Sequence, residues 1–546
     1  MTGETEATMV KALIIGLYLT VIVVLGLFAR RRSRAGHEDF FLAGRSLGPL
    51  LLFLTMAATN FSAFTVFGFA GAGYRIGYAY YPIMAFGTGF MALSFLFIGI
   101  PAWRAAKRTG AITPPELIAG RFQNRWLHGA YLGVMVVFTL PYLAIQPMGA
   151  GYALQGLLGI PYVWGAVLVV VIGSGYLLLA GMRGDAWTDA LQGVLMLAGL
   201  AAIVVGLAVV LGGFRQANQQ AFAVMPELFQ RPGGGATFTP GIWLSYMLLW
   251  LLCDPVFPQL FQRFLAAKDE RALKTSAVLY PLITGMLFFL PVAVGVMARP
   301  VLPDLAGKAT DQVLPLVVAK VLPGWMGALA IGCGLAALMS TMDSQLLTLS
   351  SMVVRDTRRL AGRAAEATFP WDRLAVVLLA LAGLVLALKP PATILEIATE
   401  TFTGLAVLFP VTLAAALWPR ANPWAGFASI ISGEALVVLY HFKLLPAFGL
   451  LPVIPIVLVS TLVLVAGSLL RPAQGLEAWA RLRAGHWRWI GLFALLFLAS
   501  IDFWNWGKSD IRWLGLPGWL WFHFGLVAVL FLAMLWCVKE RGQAQA

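Results

Sequence analysis

The sequence predicts an all-α protein that crosses a membrane many times, and three observations lead to that fold class. The 546 residues are 60% hydrophobic and only 11% charged, which is about half the charge of a soluble domain. Apolar runs of roughly 17 to 25 residues recur from end to end, the length that crosses a bilayer core. These runs are continuous, as in "VWGAVLVVVIGSGYLLLAG", whereas strands of a membrane barrel alternate apolar and polar residues.

The apolar runs predict about fifteen spanning helices. In chain order they are 9–29, 47–73, 79–103, 127–151, 161–182, 186–212, 239–262, 276–298, 322–352, 374–388, 393–418, 423–442, 449–470, 489–504 and 519–538. We expect the first to be retained, because "MTGETEATMV" is acidic and no small-residue cleavage motif follows it. The longest predicted loops, 212–240 and 298–324, fit either short gating helices or plain connectors.

The net charge of +14 is explained by topology rather than by nucleic-acid binding. Lys and Arg gather in the loops of one side by more than two to one, as in "ARRRSR" and "RDTRRLAGR". The positive-inside rule then places the N-terminus outside and the C-terminus in the cytoplasm. Membrane lipids, and no nucleic acid, are the partners expected of this charge.

The three cysteines, Cys253, Cys333 and Cys537, all fall inside apolar runs. We therefore expect small buried hydrophobes rather than disulfides or a metal site.

Polar residues inside the predicted spans are the candidates for function, since a charge at the bilayer centre costs at least ~2.5–3.5 kcal/mol. They are Asn60, Asp189, Asp254, Asp343, Glu396, Glu400 and Glu434. Asp185 is expected nearer the cytoplasmic surface and solvated.

Two predicted helices carry signs of interruption. The second contains "AATNFSAF" followed by glycines, and Ser, Thr and Asn compete for backbone hydrogen bonds. The seventh contains "CDPVFP", where Pro255 and Pro258 cannot continue the helix. Paired interrupted helices indicate a transporter's binding site, although close helix packing and a simple proline kink explain the same patterns.

The stretch "MSTMDSQLLTLSS", 339–351, places hydroxyls and a carboxylate on one helix face, from Ser340 through Asp343 and Ser344. Oxygens of this kind suit a hard cation such as Na⁺. No Lys or Arg lies in the interior of a predicted span, so a cation or a proton is expected to neutralise Asp343 and likewise Asp189. A structurally buried neutral acid is the alternative.

At these residues the chain resembles the sodium:solute symporter family. The resemblance rests on "DFFLAGRSLG", "ATNFSAFTVFGFAGAGY", "GMRGDAWTDALQGVLML", "QRFLAAKDE" and "LMSTMDSQLL". It implies a LeuT-like fold, in which five helices are repeated by five more of inverted topology. One extra helix would precede this 5+5 core and about four would follow, which divides the chain into 1–46, 47–418 and 419–546.

The resemblance also implies a sodium site. It would use the carbonyls of Ala58 and Phe61 with the side chains of Ser340 and Thr341. A second Na⁺ or a proton would lie between Asp189 and Asp343, beside Ser344. One residue departs from the pattern, since Asn60 stands where the proline symporter has an aspartate.

The sequence thus predicts a Na⁺-coupled importer of a small monocarboxylate or amino acid in a bacterial inner membrane, without an organic cofactor. The residues expected to line the solute site are Asn60, Gln146, Trp250, Asp254 and Glu400. Coupling to H⁺, another solute such as pantothenate or a sugar, and a nutrient sensor are alternatives. A membrane enzyme is disfavoured because the five histidines do not cluster with the acids. The sequence leaves the oligomeric state open, a monomer included.

Overall fold

A computed structural model of the chain describes residues 2–31, 36–364, 369–480 and 486–543. Within these ranges the chain is helical, and strand pairing is limited to isolated bridges. The long helices are α1 Thr2–Arg30, α2 Pro49–Asn60, α3 Phe64–Arg75, α4 Tyr80–Thr109, α5 Arg125–Leu158, α6 Tyr162–Val210, α7 Pro240–Val256, α8 Pro258–Ala266, α9 Glu270–Ala298, α10 Gly324–Leu360, α11 Phe369–Ala387, α12 Ile394–Leu417, α13 Pro423–His441, α14 Val453–Leu470, α15 His486–Ile501 and α16 Gly518–Gln543.

The count of about fifteen spans is not confirmed. Among the described residues 11 helices are long and apolar enough to cross a membrane, or up to 13 with the two bent pairs. The predicted helices 161–182 and 186–212 form the single stretch α6, which Gly181 interrupts with φ 58° and ψ −163°. Glycine adopts this conformation because it has no Cβ to clash with the backbone.

The predicted interruption of the second helix is confirmed, since α2 and α3 meet at a bend of 58°. Phe61 has an extended backbone there, with φ −93° and ψ 91°. The Oγ of Ser62 accepts a hydrogen bond from the N–H of Phe64, and the Oε1 of Gln146 accepts one from Ala63, both at 3.1 Å. These side chains satisfy N–H groups that the helix no longer pairs, so the break is stable in a buried place.

The predicted interruption near Asp254 is confirmed as well, with a bend of 48° between α7 and α8. Phe257 leaves the helical conformation, with φ −67° and ψ 121°. The next residue, Pro258, lacks an N–H and disfavours the helical conformation in the residue before it. A new helix can begin at a proline, and α8 does so.

The interior is packed closely enough to bring backbones into contact. A Cβ on Gly295 of α9 would lie 2.1 Å from the carbonyl oxygen of Ala70 in α3, and one on Gly73 would lie 2.4 Å from that of Val292. The three cysteines are buried, as expected of small hydrophobic side chains.

Both long loops contain short helices, Phe214–Val224 and Val313–Val321. In the second loop the Oδ2 of Asp311 accepts a hydrogen bond of 2.9 Å from the backbone N–H of Ile394. Arg75, at the end of α3, donates a hydrogen bond to Thr310. Hydrogen bonds from this loop therefore hold the end of α3 close to the start of α12.

Candidate ion and solute site

The first candidate site lies where α10 packs against the end of α2. The Oγ of Ser340 donates to the carbonyl of Ala58 at 3.0 Å, and the Oγ1 of Thr341 donates to the carbonyl of Thr59 at 2.9 Å. All four residues are buried, and Phe61 begins the break directly afterwards. Hydroxyl oxygens, and carbonyl oxygens that a broken helix leaves without an N–H partner, are the ligands that a hard cation prefers.

Three of the four residues of the implied sodium site therefore lie around one point of the α2 break. The hydroxyl of Thr341 donates to the carbonyl of Thr59, which is not one of the four residues.

A buried positive charge contacts α10 one helical turn beyond this site. Arg263 is fully buried, and its Nη2 lies 2.7 Å from the Oδ2 of Asp185 and 2.7 Å from the Oδ2 of Asp189. The same nitrogen donates to the Oγ of Ser344 at 2.5 Å, and Nε donates to the Oγ1 of Thr55 at 2.9 Å. One guanidinium thus joins α8 to α2, α6 and α10.

Two expectations are wrong at this cluster. The seventh predicted helix ended at 262, but α8 continues to Ala266 and carries Arg263 into the interior. Asp185 is fully buried rather than solvated, because it is one of the two carboxylates that the guanidinium binds. A bound cation or a proton is therefore not the only group that can neutralise Asp189, because this guanidinium lies beside it.

The cluster still lacks one positive charge. Asp189 accepts hydrogen bonds at Oδ2 from Thr55 at 2.6 Å and Thr59 at 3.1 Å, but its Oδ1 has no partner. With both carboxylates ionised, one guanidinium leaves a net charge of −1 in a buried place. A proton or one monovalent cation would neutralise it.

Asp343 does not join this cluster. It is fully buried, and neither carboxyl oxygen has a hydrogen-bond partner. Its Oδ1 faces α6 near Gly173, where an added Cβ would lie 3.1 Å away. Successive residues of a helix point about 100° apart, so Asp343 turns away while Ser344 faces Arg263. Among the described residues no hydrogen bond joins Asp343 to Asp189, and a Na⁺ or a proton shared by these two carboxylates stays a prediction.

A small cavity lies beside the two helix breaks. It brings together three of the five residues that were expected to line the solute site. Asn60, Trp250 and Asp254 line it, together with Phe64, Thr65, Met84, Thr88, Tyr142, Phe288 and Phe402. Its volume is ≈ 10 Å³, which is room for about one water. A solute therefore enters only if the lining rings move apart.

The rings of this cavity pack directly on one another. The ring centroids of Trp250 and Phe402 are 4.9 Å apart, and those of Trp250 and Phe64 are 5.4 Å apart. Tyr142 lies 4.9 Å from Phe402 and shares a hydrogen bond of 2.7 Å with Ser62 at the break. The cavity wall is thus aromatic, with Asp254 as its acidic group.

Gln146 is not part of the cavity lining. Its Oε1 accepts from the N–H of Ala63, and its Nε2 donates to the carbonyl of Tyr142. It holds the α2 break, the role that its position next to Pro147 also allowed.

Glu400 is wrongly assigned to the solute site. Its side chain is 72% exposed and lies 3.7 Å from His441, because it occupies the outer face of α12, whereas Phe402 of the same helix faces the cavity. Glu396 caps the start of α12 through the N–H of Thr393. Glu434 is partly buried on α13.

Sequence reasoning missed Arg263 and the aromatic lining. Arg263 had a signal, since it follows Pro258 by five residues and a helix restarted there carries it inward. The rings had none, because the chain contains 35 phenylalanines and only the fold selects those that meet.

Comparison with known proteins identifies the family. The model of the sodium:solute symporter family matches residues 40–433. The sodium/pantothenate symporter of Escherichia coli (strain K12) is 28% identical over 461 residues, which cover 83% of this chain and 94% of the relative. The osmoregulated proline transporter OpuE of Bacillus subtilis (strain 168) is 27% identical over 484 residues, covering 84% and 95%.

A solved structure shares the fold. It is a Na⁺-coupled sialic acid symporter in a substrate-bound, outward-open state, with a TM-score of 0.71 and 18% identity over 85% of this chain and 99% of that one. The family match covers well over half of the chain, and the relatives are transporters. The chain is therefore a multi-pass membrane transporter, not an enzyme, and it belongs to the sodium:solute symporter family.

Proposed function

We propose that this protein imports a small organic solute, a monocarboxylate or an amino acid, together with Na⁺. It acts in a bacterial inner membrane, with its N-terminus outside and its C-terminus in the cytoplasm. Residues 47–418 form the transport core of two inverted five-helix repeats, and 1–46 and 419–546 flank it.

The observation that carries the proposal is the pairing of two hydroxyls of α10 with carbonyls at the α2 break. Ser340 meets Ala58 at 3.0 Å and Thr341 meets Thr59 at 2.9 Å. A Na⁺ held by these hydroxyls and by the carbonyls of Ala58 and Phe61 would fasten the broken helix to α10. Loss of the ion would loosen that contact.

Transport follows from this coupling. The ion stabilises the arrangement of the break in which Asn60, Trp250 and Asp254 meet the solute. Entry of Na⁺ is favoured by the membrane potential, worth ~2.3 kcal/mol per charge per 100 mV. Rocking of one helix bundle against the other then exposes the sites to the opposite side.

Coupling to H⁺ is a second candidate, favoured by two observations. Asp343 is buried with both carboxyl oxygens unpartnered, and the Asp185–Arg263–Asp189 cluster has one surplus negative charge when both of its carboxylates are ionised. Each place suits a proton, and the cluster also suits a second Na⁺ at Asp189 and Ser344.

The test is uptake by the purified protein in liposomes. A panel containing L-proline, pantothenate, lactate and glucose is offered with a Na⁺ gradient, with a pH gradient, and with neither. Thr341→Ala and Ser340→Ala are expected to raise the Na⁺ concentration that gives half-maximal uptake by tenfold or more.

Ser350→Ala is the matched control. It removes a buried hydroxyl from the same helix that bonds only its own helix, at the carbonyl of Leu347, so the Na⁺ requirement should stay unchanged. Uptake that follows the pH gradient and ignores Na⁺ would refute Na⁺ coupling and support the proton sites. Equal effects of the three variants would refute the placement of the ion.

A further inference from the structure

We infer that the transported solute carries a positively charged nitrogen, which lies among the rings of the aromatic cavity and against the carboxylate of Asp254. This inference rests on the proposed function in one respect, namely that the cavity beside the two helix breaks is the solute site. It narrows the solute from monocarboxylate or amino acid to a zwitterion or an ammonium compound.

The carboxylate is the first step of the argument. Asp254 is 2% exposed, and its Oδ2 accepts no hydrogen bond. The groups around it are neutral, namely Asn60, Thr88 and Cys253. Among the described residues it forms no ion pair, in contrast to Asp185 and Asp189. A buried carboxylate is stable only when it is paired or protonated, and a cationic solute would be its partner.

The rings are the second step. Trp250, Phe64, Tyr142 and Phe402 converge on the same cavity. Aromatic faces carry negative charge density and attract a cation, most strongly when the ring is tryptophan and the site is dry. Groups of such rings are the usual recognition site for a quaternary or secondary ammonium group.

Charge repulsion is the third step. A plain monocarboxylate at this place would face Asp254 with a second negative charge, and in the part of the chain that the structure describes no Lys or Arg lines the cavity. Two like charges at close range repel strongly in a buried place, where water does not screen them. A zwitterion avoids this cost by turning its ammonium group toward Asp254.

Isosteric pairs of solutes test the inference without any mutation. Glycine betaine is compared with 3,3-dimethylbutanoate, choline with 3,3-dimethyl-1-butanol, and L-proline with cyclopentanecarboxylate. In each pair carbon replaces the charged nitrogen and the shape is kept. Equilibrium binding to the purified protein is measured at saturating Na⁺. The charged member of at least one pair should bind tenfold or more tightly than its carbon isostere.

Asp254→Asn should bring the ratio of the two affinities within a pair, charged member over carbon isostere, close to one. Asp254→Glu should restore part of this ratio. Glu400→Gln, which removes an exposed acid outside the cavity, is the control and should keep the wild-type ratio. The inference is overturned if the carbon isosteres bind as tightly as the charged members, or if no charged member binds. It is also overturned if Asp254→Asn changes the affinity for Na⁺ while leaving the ratio intact, since Asp254 would then serve the ion.

The two proposals fail separately. Na⁺-driven uptake of pantothenate or cyclopentanecarboxylate without binding of any ammonium compound would refute this inference and leave the symporter function standing. Tight binding of an ammonium compound that no Na⁺ gradient drives into liposomes would refute the Na⁺-coupled symporter function and leave the inference about the charge of the solute standing.

Discussion

Replacement of Arg263 by glutamine is expected to destabilise this protein more than the loss of any exposed ion pair. The guanidinium is fully buried, and its Nη2 lies 2.7 Å from Asp185 and 2.7 Å from Asp189. Removal of one partner from a buried ion pair costs about 3–5 kcal/mol, because the remaining charge stays buried without compensation. Two carboxylates are left here, so we expect a loss near the upper end of that range.

Arg104→Gln is the matched control. Its ion pair with Glu270 has the shorter distance of 2.6 Å, but the arginine side chain is 45% exposed. An exposed pair of this kind contributes at most about 1 kcal/mol. The two variants therefore differ in burial and in the number of carboxylates contacted, whereas their contact distances are nearly the same.

The free energy of unfolding is measured by reversible denaturation in mixed detergent micelles, followed by circular dichroism. A double variant, Arg263→Gln with Asp189→Asn, should recover part of the loss, with a coupling energy of about 1–3 kcal/mol. Arg263→Lys should fall between wild type and Arg263→Gln, because a lysine keeps the charge but not the planar set of donors. If Arg263→Gln and Arg104→Gln cost the same, the reasoning about this buried cluster is refuted.

Three further predictions follow from packing, burial and exposure. Gly295→Ala should prevent normal folding or lower the melting temperature strongly, since its Cβ would lie 2.1 Å from a backbone oxygen of α3, whereas Gly332→Ala, with nothing within 4 Å, should be neutral; size-exclusion profiles and thermal unfolding compare the two. Burial raises the pKa of Asp311, in the loop between α9 and α10, from 3.8 to about 6, against the opposing effect of the N–H at the start of α12. The folded state then binds the proton more tightly than the unfolded state. The contribution of this group to stability therefore falls as the pH rises from about 4 to 6, by at most about 3 kcal/mol. Asp311→Asn should flatten that part of the curve of melting temperature against pH, and an unchanged slope would contradict the assignment. Glu400→Gln should leave the solute affinity within twofold of wild type, because the side chain is 72% exposed, and a tenfold loss in a binding assay would return Glu400 to the solute site.

Arg263 also links the ion site to the second broken helix. It lies on α8 and contacts Ser344, which is one turn from Ser340 on α10. Movement of α8 away from α10 therefore requires the guanidinium to leave Ser344, and movement away from α6 requires it to leave two carboxylates. These contacts resist separation of α8 from both helices in the present arrangement.

Local patterns in the sequence were enough to determine several features of this protein. Continuous apolar runs predicted a helical membrane protein, because a backbone in lipid must satisfy its own hydrogen bonds. Pro258 and the polar stretch around Asn60 predicted where two helices break, and the bends of 48° and 58° confirm both places. The motifs also pointed to the family, which the match over residues 40–433 shows.

The tertiary structure alone decided which of the polar residues meet. Arg263 reaches Asp185 and Asp189 from 74 or more residues away along the chain, and no local pattern encodes such a contact. Asp343 and Ser344 are neighbours in sequence, yet the helix turns them toward different surroundings. Glu400 and Phe402 lie on one helix, and only its packing exposes the first and buries the second. The physical reason is common to all three cases: burial and pairing of a side chain depend on the elements packed against it, and those elements are distant in sequence.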